Sequence, residues 1–174
     1  MKNPIWSAIA AIVTIPLVKV WLVDRAQRTP YNHIMSPDGA DCYMGRWWLF
    51  NPYPASGAPK RKGWGWLPSV RIHHIMRADS DRHFHDHPWN ARTIILDGCY
   101  WEQRPCGPYA SVTSRRIPGD TQTLKFGEYH RISEVSDGGV WTLFITWKYQ
   151  GTWGFEVDGV KVPWRQYLGI EEKQ

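Results

Sequence analysis

Three of the seven histidines stand at every second position of one short segment, His83, His85 and His87, in the string DSDRHFHDHPWN. Side chains two apart on an extended chain point to the same side, about 7 Å apart along the strand. Neutral imidazole is a good ligand for Fe(II), Mn(II), Ni(II) and Zn(II). Two such rings can converge on one ion when a third ligand arrives from a neighbouring strand, and three protein ligands leave positions open for water or substrate. His130, which follows the turn-like Phe126-Gly127-Glu128-Tyr129, is the candidate third ligand. The chemistry this spacing suits is metal-assisted and acts on a small molecule.

Rigid extended segments are needed to hold such rings. The chain has 174 residues, enough for one sizeable core, and carries 12 Trp, 15 Gly and 13 Pro, which favours short strands joined by many turns. Strands are expected over Tyr43 to Phe50, Trp66 to Arg77, the histidine segment, Arg92 to Leu96, Cys99 to Gln103, Ser111 to Ile117, Gln122 to Phe126 and the apolar run Val140 to Lys148. Over Trp66 to Arg77, alternation puts Val70, Ile72, His74 and Met76 on one face and His73 and Ile75 on the other. Asp97-Gly98 reads as a hairpin turn between its flanking strands, and Asp158-Gly159 as another between Trp153 to Val157 and Val160 to Trp164. Pro88 ends the histidine strand or places it at an edge. Asn51 to Gly65 is a loop whose Lys60-Arg61-Lys62 is a solvated tip or an anion contact. No helical period follows residue 30. The pattern is that of a sandwich or barrel.

Before it, Ile5 to Val23 is largely apolar and close to the roughly 20 residues that span a bilayer. Pro16 and Lys19 interrupt it, and no good cleavage site follows. A helix packed on the barrel or lying at an interface, and a membrane anchor, are the competing readings. The chain divides into residues 1–28, an apolar N-terminal helix, and residues 29–174, a β-barrel. The net charge of +5 is not gathered into a long basic run, so no specific nucleic-acid partner is expected. Three cysteines without CxxC spacing fit a reducing, cytoplasmic setting. A homodimer is left open.

The sequence resembles the cupin superfamily. One cupin motif is written G-x5-H-x-H-x3,4-E-x6-G. His85 and His87 supply its histidines and Gly98 its closing glycine. Asp79 replaces the opening glycine, and the glutamate position falls on Ala91 or Arg92. The second motif is G-x5-P-x-G-x2-H-x3-N. Gly119, Gly127 and His130 stand at its spacing, with Lys125 for the proline and Glu134 for the asparagine. The match covers roughly residues 66–150. The string HDHPW, with Arg46-Trp47-Trp48, Trp141-Thr142-Leu143-Phe144 and Trp153-Gly154-Phe155, also looks like a set of cupin-like proteins of bacteria and phages, from which no activity carries over. The resemblance implies an all-β double-stranded β-helix, the cupin jelly-roll barrel, and a first shell of His85, His87 and His130 around a divalent transition metal (Fe, Mn, Ni or Zn) without a carboxylate ligand.

Around that shell the residues allow several roles. Arg92 would bind an anionic substrate or form a salt bridge. Tyr100 would position substrate or fill the barrel, as would Glu102 and Tyr129. Asp86 faces away from its neighbours unless Pro88 bends the strand. His83, His73 and His74 are expected outside the shell, and Trp89 either lines the site or belongs to the core. A metal-dependent dioxygenase acting on a small molecule is the leading function. A non-catalytic binding or structural module, membrane-associated through residues 5–23, is the alternative. A metal-free isomerase using His85 or His87 as base and Tyr100 as acid is a third.

Overall fold

The computed structural model describes residues 3–36, 39–53, 63–79, 83–107 and 110–170. The expected Lys60-Arg61-Lys62 tip lies outside them.

The N-terminal apolar run is two helices, not one. α1 (Pro4–Val13) begins with proline in its first turn, and the Asn3 side chain accepts hydrogen bonds from the backbone N–H groups of Ile5 and Trp6 at 3.1 and 3.4 Å. α2 (Pro16–Gln27) begins at a second proline. Pro16 has no N–H to continue the first helix and drives Ile15 out of the helical region, so the pair is bent by 80°. No single helix among the described residues is long and apolar enough to cross a membrane.

Eleven strands follow among the described residues: β1 (Pro30–Met35), β2 (Cys42–Phe50), β3 (Ser69–Ile75), β4 (Trp89–Asp97), β5 (Tyr100–Gly107), β6 (Ala110–Arg116), β7 (Thr121–Leu124), β8 (Arg131–Val135), β9 (Val140–Tyr149), β10 (Gly154–Val157) and β11 (Val160–Pro163), then the single-turn helix α3 (Trp164–Tyr167). One sheet has the order β1-β2-β3-β9-β4-β7. Its most apolar strand, β9, lies between β3 and β4, as its buried run requires. The other layer is built from β6-β5-β8 and the β10-β11 hairpin. His85 joins the two pieces, bridging His130 on one side and Phe155 on the other.

Alternation divides the first sheet cleanly. Ile72, Ile94, Leu96, Leu143 and Ile145 face outward and are covered by Trp6, Ile9, Ala10, Val13, Val23 and Ala26 of the helices. Burying each such isoleucine or leucine is worth about 1.5–3 kcal/mol, and Ala10 and Ala26, both 0% exposed, let the helix backbones come close. Lys19, the charge inside the apolar run, reaches Asp97 at 2.8 Å. The opposite face, carrying Arg71, His73, Thr93, Thr142, Phe144 and Thr146, looks into the barrel.

The expected hairpin at Asp97-Gly98 is a corner instead. β4 pairs with β7 and β9, whereas β5 pairs with β6 and β8, so the chain changes sheets there. Gly98 has φ +70°, and a Cβ on it would meet the carbonyl oxygen of Gly139. Asp158-Gly159 does form the expected hairpin, both residues at positive φ. β1 and β8 are additional strands. α3 is a helical turn beyond residue 30.

Candidate metal centre

The histidine segment is held by backbone and side-chain bonds rather than as a regular strand. His85 and His130 exchange two backbone hydrogen bonds, each 2.9 Å, and Glu156 N–H donates to the Phe84 carbonyl at 2.8 Å. Asp86 is fully buried on the other side of the segment. Its carboxylate accepts from Gly154 N–H at 2.7 Å and from Lys161 at 2.5 Å, fastening the β10-β11 hairpin to the histidines. Pro88 then carries the chain out of this layer into β4 of the other sheet.

His85, His87 and His130 come together. One ring nitrogen from each lies within 4.8 Å of the others, and His87 Nε2 is 2.8 Å from His130 Nε2. Three nitrogens at about 2.1 Å from one ion stand about 3–3.6 Å apart, so ring movements of about an ångström would close the set. The far nitrogens face carboxylates. His85 Nδ1 lies 3.8 Å from Asp79, and His130 Nδ1 lies 3.0 Å from Glu102 Oε1 but off the line of a hydrogen bond. That leaves the other nitrogens of both rings for the common point, the arrangement by which carboxylates orient metal-ligating histidines.

These acids are themselves anchored. Asp79 accepts from Ile132 N–H at 2.7 Å and from the Tyr43 hydroxyl. Glu102, 1% exposed, accepts from Arg116, from Gln122 at 2.7 Å and from Arg104 at 3.2 Å. Burial alone would raise the Glu102 carboxyl; the His130 ring and the two guanidiniums outweigh it and hold it well below the usual carboxylate range. Burial and the neighbouring His130 push His85 down to about 4, against the pull of Asp79. His87 is likewise held well below its ordinary value, first by burial and then by the adjacent rings and Arg71. Both rings are therefore neutral at pH 7, the form that ligates. Among the described residues these three histidines are the group suited to a metal ion, and as a buried all-imidazole set they fit a divalent transition metal.

The other expected residues fall outside the cluster. Arg92 is on the helix-covered face of β4, donating to Thr121 and Thr123 and lying 4.5 Å over the Trp6 ring. Its parity is that of Ile94, not Thr93, so it points away from the histidines. Tyr100 packs in the apolar cluster of Ile75, Ile95, Ile132 and Val140, with burial and Glu102 raising its hydroxyl well above the ordinary value. His83 bonds the Tyr167 hydroxyl at 2.9 Å. His74 stacks on Trp141 at 4.1 Å. Ala91, where the motif glutamate would fall, is interior but carries no ligand atom. Glu102, by contrast, is central. A lone acid on a strand that also carries Arg104, with two further arginines in the paired Arg115-Arg116, is the sequence signal for it.

Two antiparallel sheets closed around an inward-facing histidine cluster define a cupin-type jelly roll, and solved cupin-fold proteins are the structural neighbours. Oxalate decarboxylase from Bacillus subtilis superimposes with TM-score 0.51 over 87% of this chain and 33% of its own, at 12% identity. A second structure of that enzyme, concerned with its Mn(II) centres, gives 0.51 over 85% and 34%, at 10% identity. Fe(II) HppE with substrate gives 0.47 over 71% and 57%, at 8% identity. The chain thus spans about a third of the length of oxalate decarboxylase, and identities this low establish shared fold. No family model matches the sequence, and no curated protein matches it.

Proposed function

We propose that the protein is a metal-dependent enzyme acting on a small molecule, with dioxygenase-type chemistry foremost. The observation that carries this reading is the convergence of His85, His87 and His130 inside the barrel. A divalent transition metal held there would supply a Lewis acid and, for iron or manganese, a redox centre. The chain's own part is to keep His85 and His87 unprotonated, to aim His85 and His130 through Asp79 and Glu102, and to keep bulk water out between two sheets. Neither Arg92 nor Tyr100 is given a role. The test is reconstitution with Fe(II), Mn(II), Ni(II) or Zn(II), followed by oxygen uptake with panels of small organic acids, alcohols and thiols. Metal-dependent uptake abolished in His87→Ala supports the reading. Tight metal binding without turnover on any panel favours a non-catalytic binding module.

A second feature supports contact with a membrane interface. Leu17, Trp21, Ile5 and Ile12 on the outer side of α1 and α2 are 83%, 62%, 68% and 56% exposed, an apolar surface beside Arg25 and Arg28.

A further inference from the structure

Arg71 lies in the barrel interior, and no carboxylate among the described residues pairs with its charge. It is 2% exposed. Arg104 and Arg116 both meet Glu102, whereas the guanidinium of Arg71 is surrounded by rings. Tyr31, Trp48, Tyr53, Trp89 and Phe144 all have their centroids 5.1 to 5.8 Å from its Cζ. Each face is worth about 0.5–2 kcal/mol to a cation, which offsets part of the several kcal/mol that desolvating it costs. Faces accept no directed hydrogen bond along the N–H fork. Arg71 Nε accordingly has no hydrogen-bond partner, and neither does the indole Nε1–H of Trp89, a group that can only donate. His73 Nε2 is also buried without a partner. These three atoms come from β3 and β4, the strands that flank β9.

The same interior wall leads to the histidines. His73 stacks on Phe144 at 4.8 Å, and His87 faces that ring at 5.8 Å. One phenyl group thus separates a ligand of the candidate metal centre from the Nε–H of a buried guanidinium and an indole N–H, neither of which has an acceptor. A carboxylate suits these donors. It accepts two N–H groups in parallel, and its single charge balances a single guanidinium. A phosphate dianion would bring one negative charge too many into the same apolar surroundings.

We propose that Arg71 and Trp89 form a carboxylate-binding subsite inside the barrel, so that the small molecule acted on at the histidines carries a carboxylate. The second half of this statement rests on the enzymatic reading above; the subsite itself does not.

The test uses the full chain after chelation of metal, titrated with acetate, propionate or inorganic phosphate. It follows the Arg71 Nε–H and Trp89 Nε1–H signals by proton–nitrogen NMR, assigned through Arg71→Lys and Trp89→Phe. Expected are saturable shifts of both signals with acetate and propionate, no competition by phosphate, and binding weakened about tenfold or more in Arg71→Met. Arg71→Lys, which keeps the charge but loses the fork, covers the case in which the methionine variant does not fold; binding weakened in a folded Arg71→Lys supports the subsite equally. The subsite is refuted if neither signal moves with either carboxylate, or if a folded Arg71 variant titrates like wild type. It is also refuted as a carboxylate site if phosphate binds as well as acetate does. Carboxylate binding in a protein that takes up no metal would refute the enzymatic reading alone, and metal uptake without carboxylate binding the subsite alone.

Discussion

His87 Nε2 stands 2.8 Å from His130 Nε2, although 43 positions separate the two residues in the chain. Two ring nitrogens this close need a proton or a cation between them. Removing either ring should therefore lower metal affinity by more than about 100-fold, measured by competition with a chromophoric chelator. His83→Ala, which removes a ring bonded to Tyr167, should leave metal affinity unchanged.

Glu102→Gln tests the carboxylate behind His130. The variant removes, at a residue 1% exposed, the counter-charge of Arg116 and leaves Arg104 with Glu128 alone. Metal affinity should fall about 10–100-fold, and urea denaturation of the metal-free protein should show a loss of about 3 kcal/mol.

The depressed His85 ring makes metal-free stability depend on pH. Its folded value is about 4 and its ordinary value 6.5. Above the ordinary value both states are neutral. Between the two values the unfolded chain takes up the proton and the folded chain does not. Stability should thus fall as pH drops from about 6.5 to about 4, by up to about 3 kcal/mol from this group, and this contribution should level off below. Melting temperature against pH in chelator-treated protein measures it, and His85→Asn should flatten the slope.

Gly98→Ala tests the corner where the chain changes sheets. A left-handed backbone and a Cβ driven at the Gly139 carbonyl oxygen should cost on the order of 2 kcal/mol or more. Gly159→Ala, equally left-handed but with open space around its Cβ, should cost less. Equal losses in denaturant melts would show that packing at the corner contributes nothing.

Leu17→Asp together with Trp21→Asp tests the apolar outer face of the helices. Both residues are more than half exposed, so stability should change little. Co-sedimentation with vesicles rich in anionic lipid should drop at least about tenfold. Equal sedimentation of variant and wild type would remove the membrane reading.

The pairing of His85, His87 and His130 was legible because both cupin-like half-motifs depend on local spacing: period two along an extended segment, and a glycine turn before His130. Arg92 was singled out by its motif position alone; counting by twos from His87 reaches Ala91 and Thr93, the interior residues of β4, and leaves Arg92 on the opposite, helix-covered face. Asp97-Gly98 has the composition of a hairpin, yet partner choice between sheets is a long-range matter that no dipeptide encodes. β1 and β8 escaped notice since both are short and neither alternates cleanly between apolar and polar residues. Arg71 was within reach. It shares the parity of His73 and Ile75, which the alternation sets on one face, and a charge beside Ile75 on that face is the signal. What pairs with it depends on five rings from distant strands.

The most direct measurement is elemental analysis of protein purified without a metal-affinity tag, in wild type and in the triple variant His85→Ala, His87→Ala, His130→Ala. About one equivalent of a divalent transition metal per wild-type chain is expected, as isolated or after reconstitution, and none in the variant. A wild-type chain that holds no such metal after reconstitution, or a folded variant that holds as much as wild type, would contradict a metal centre at these three rings.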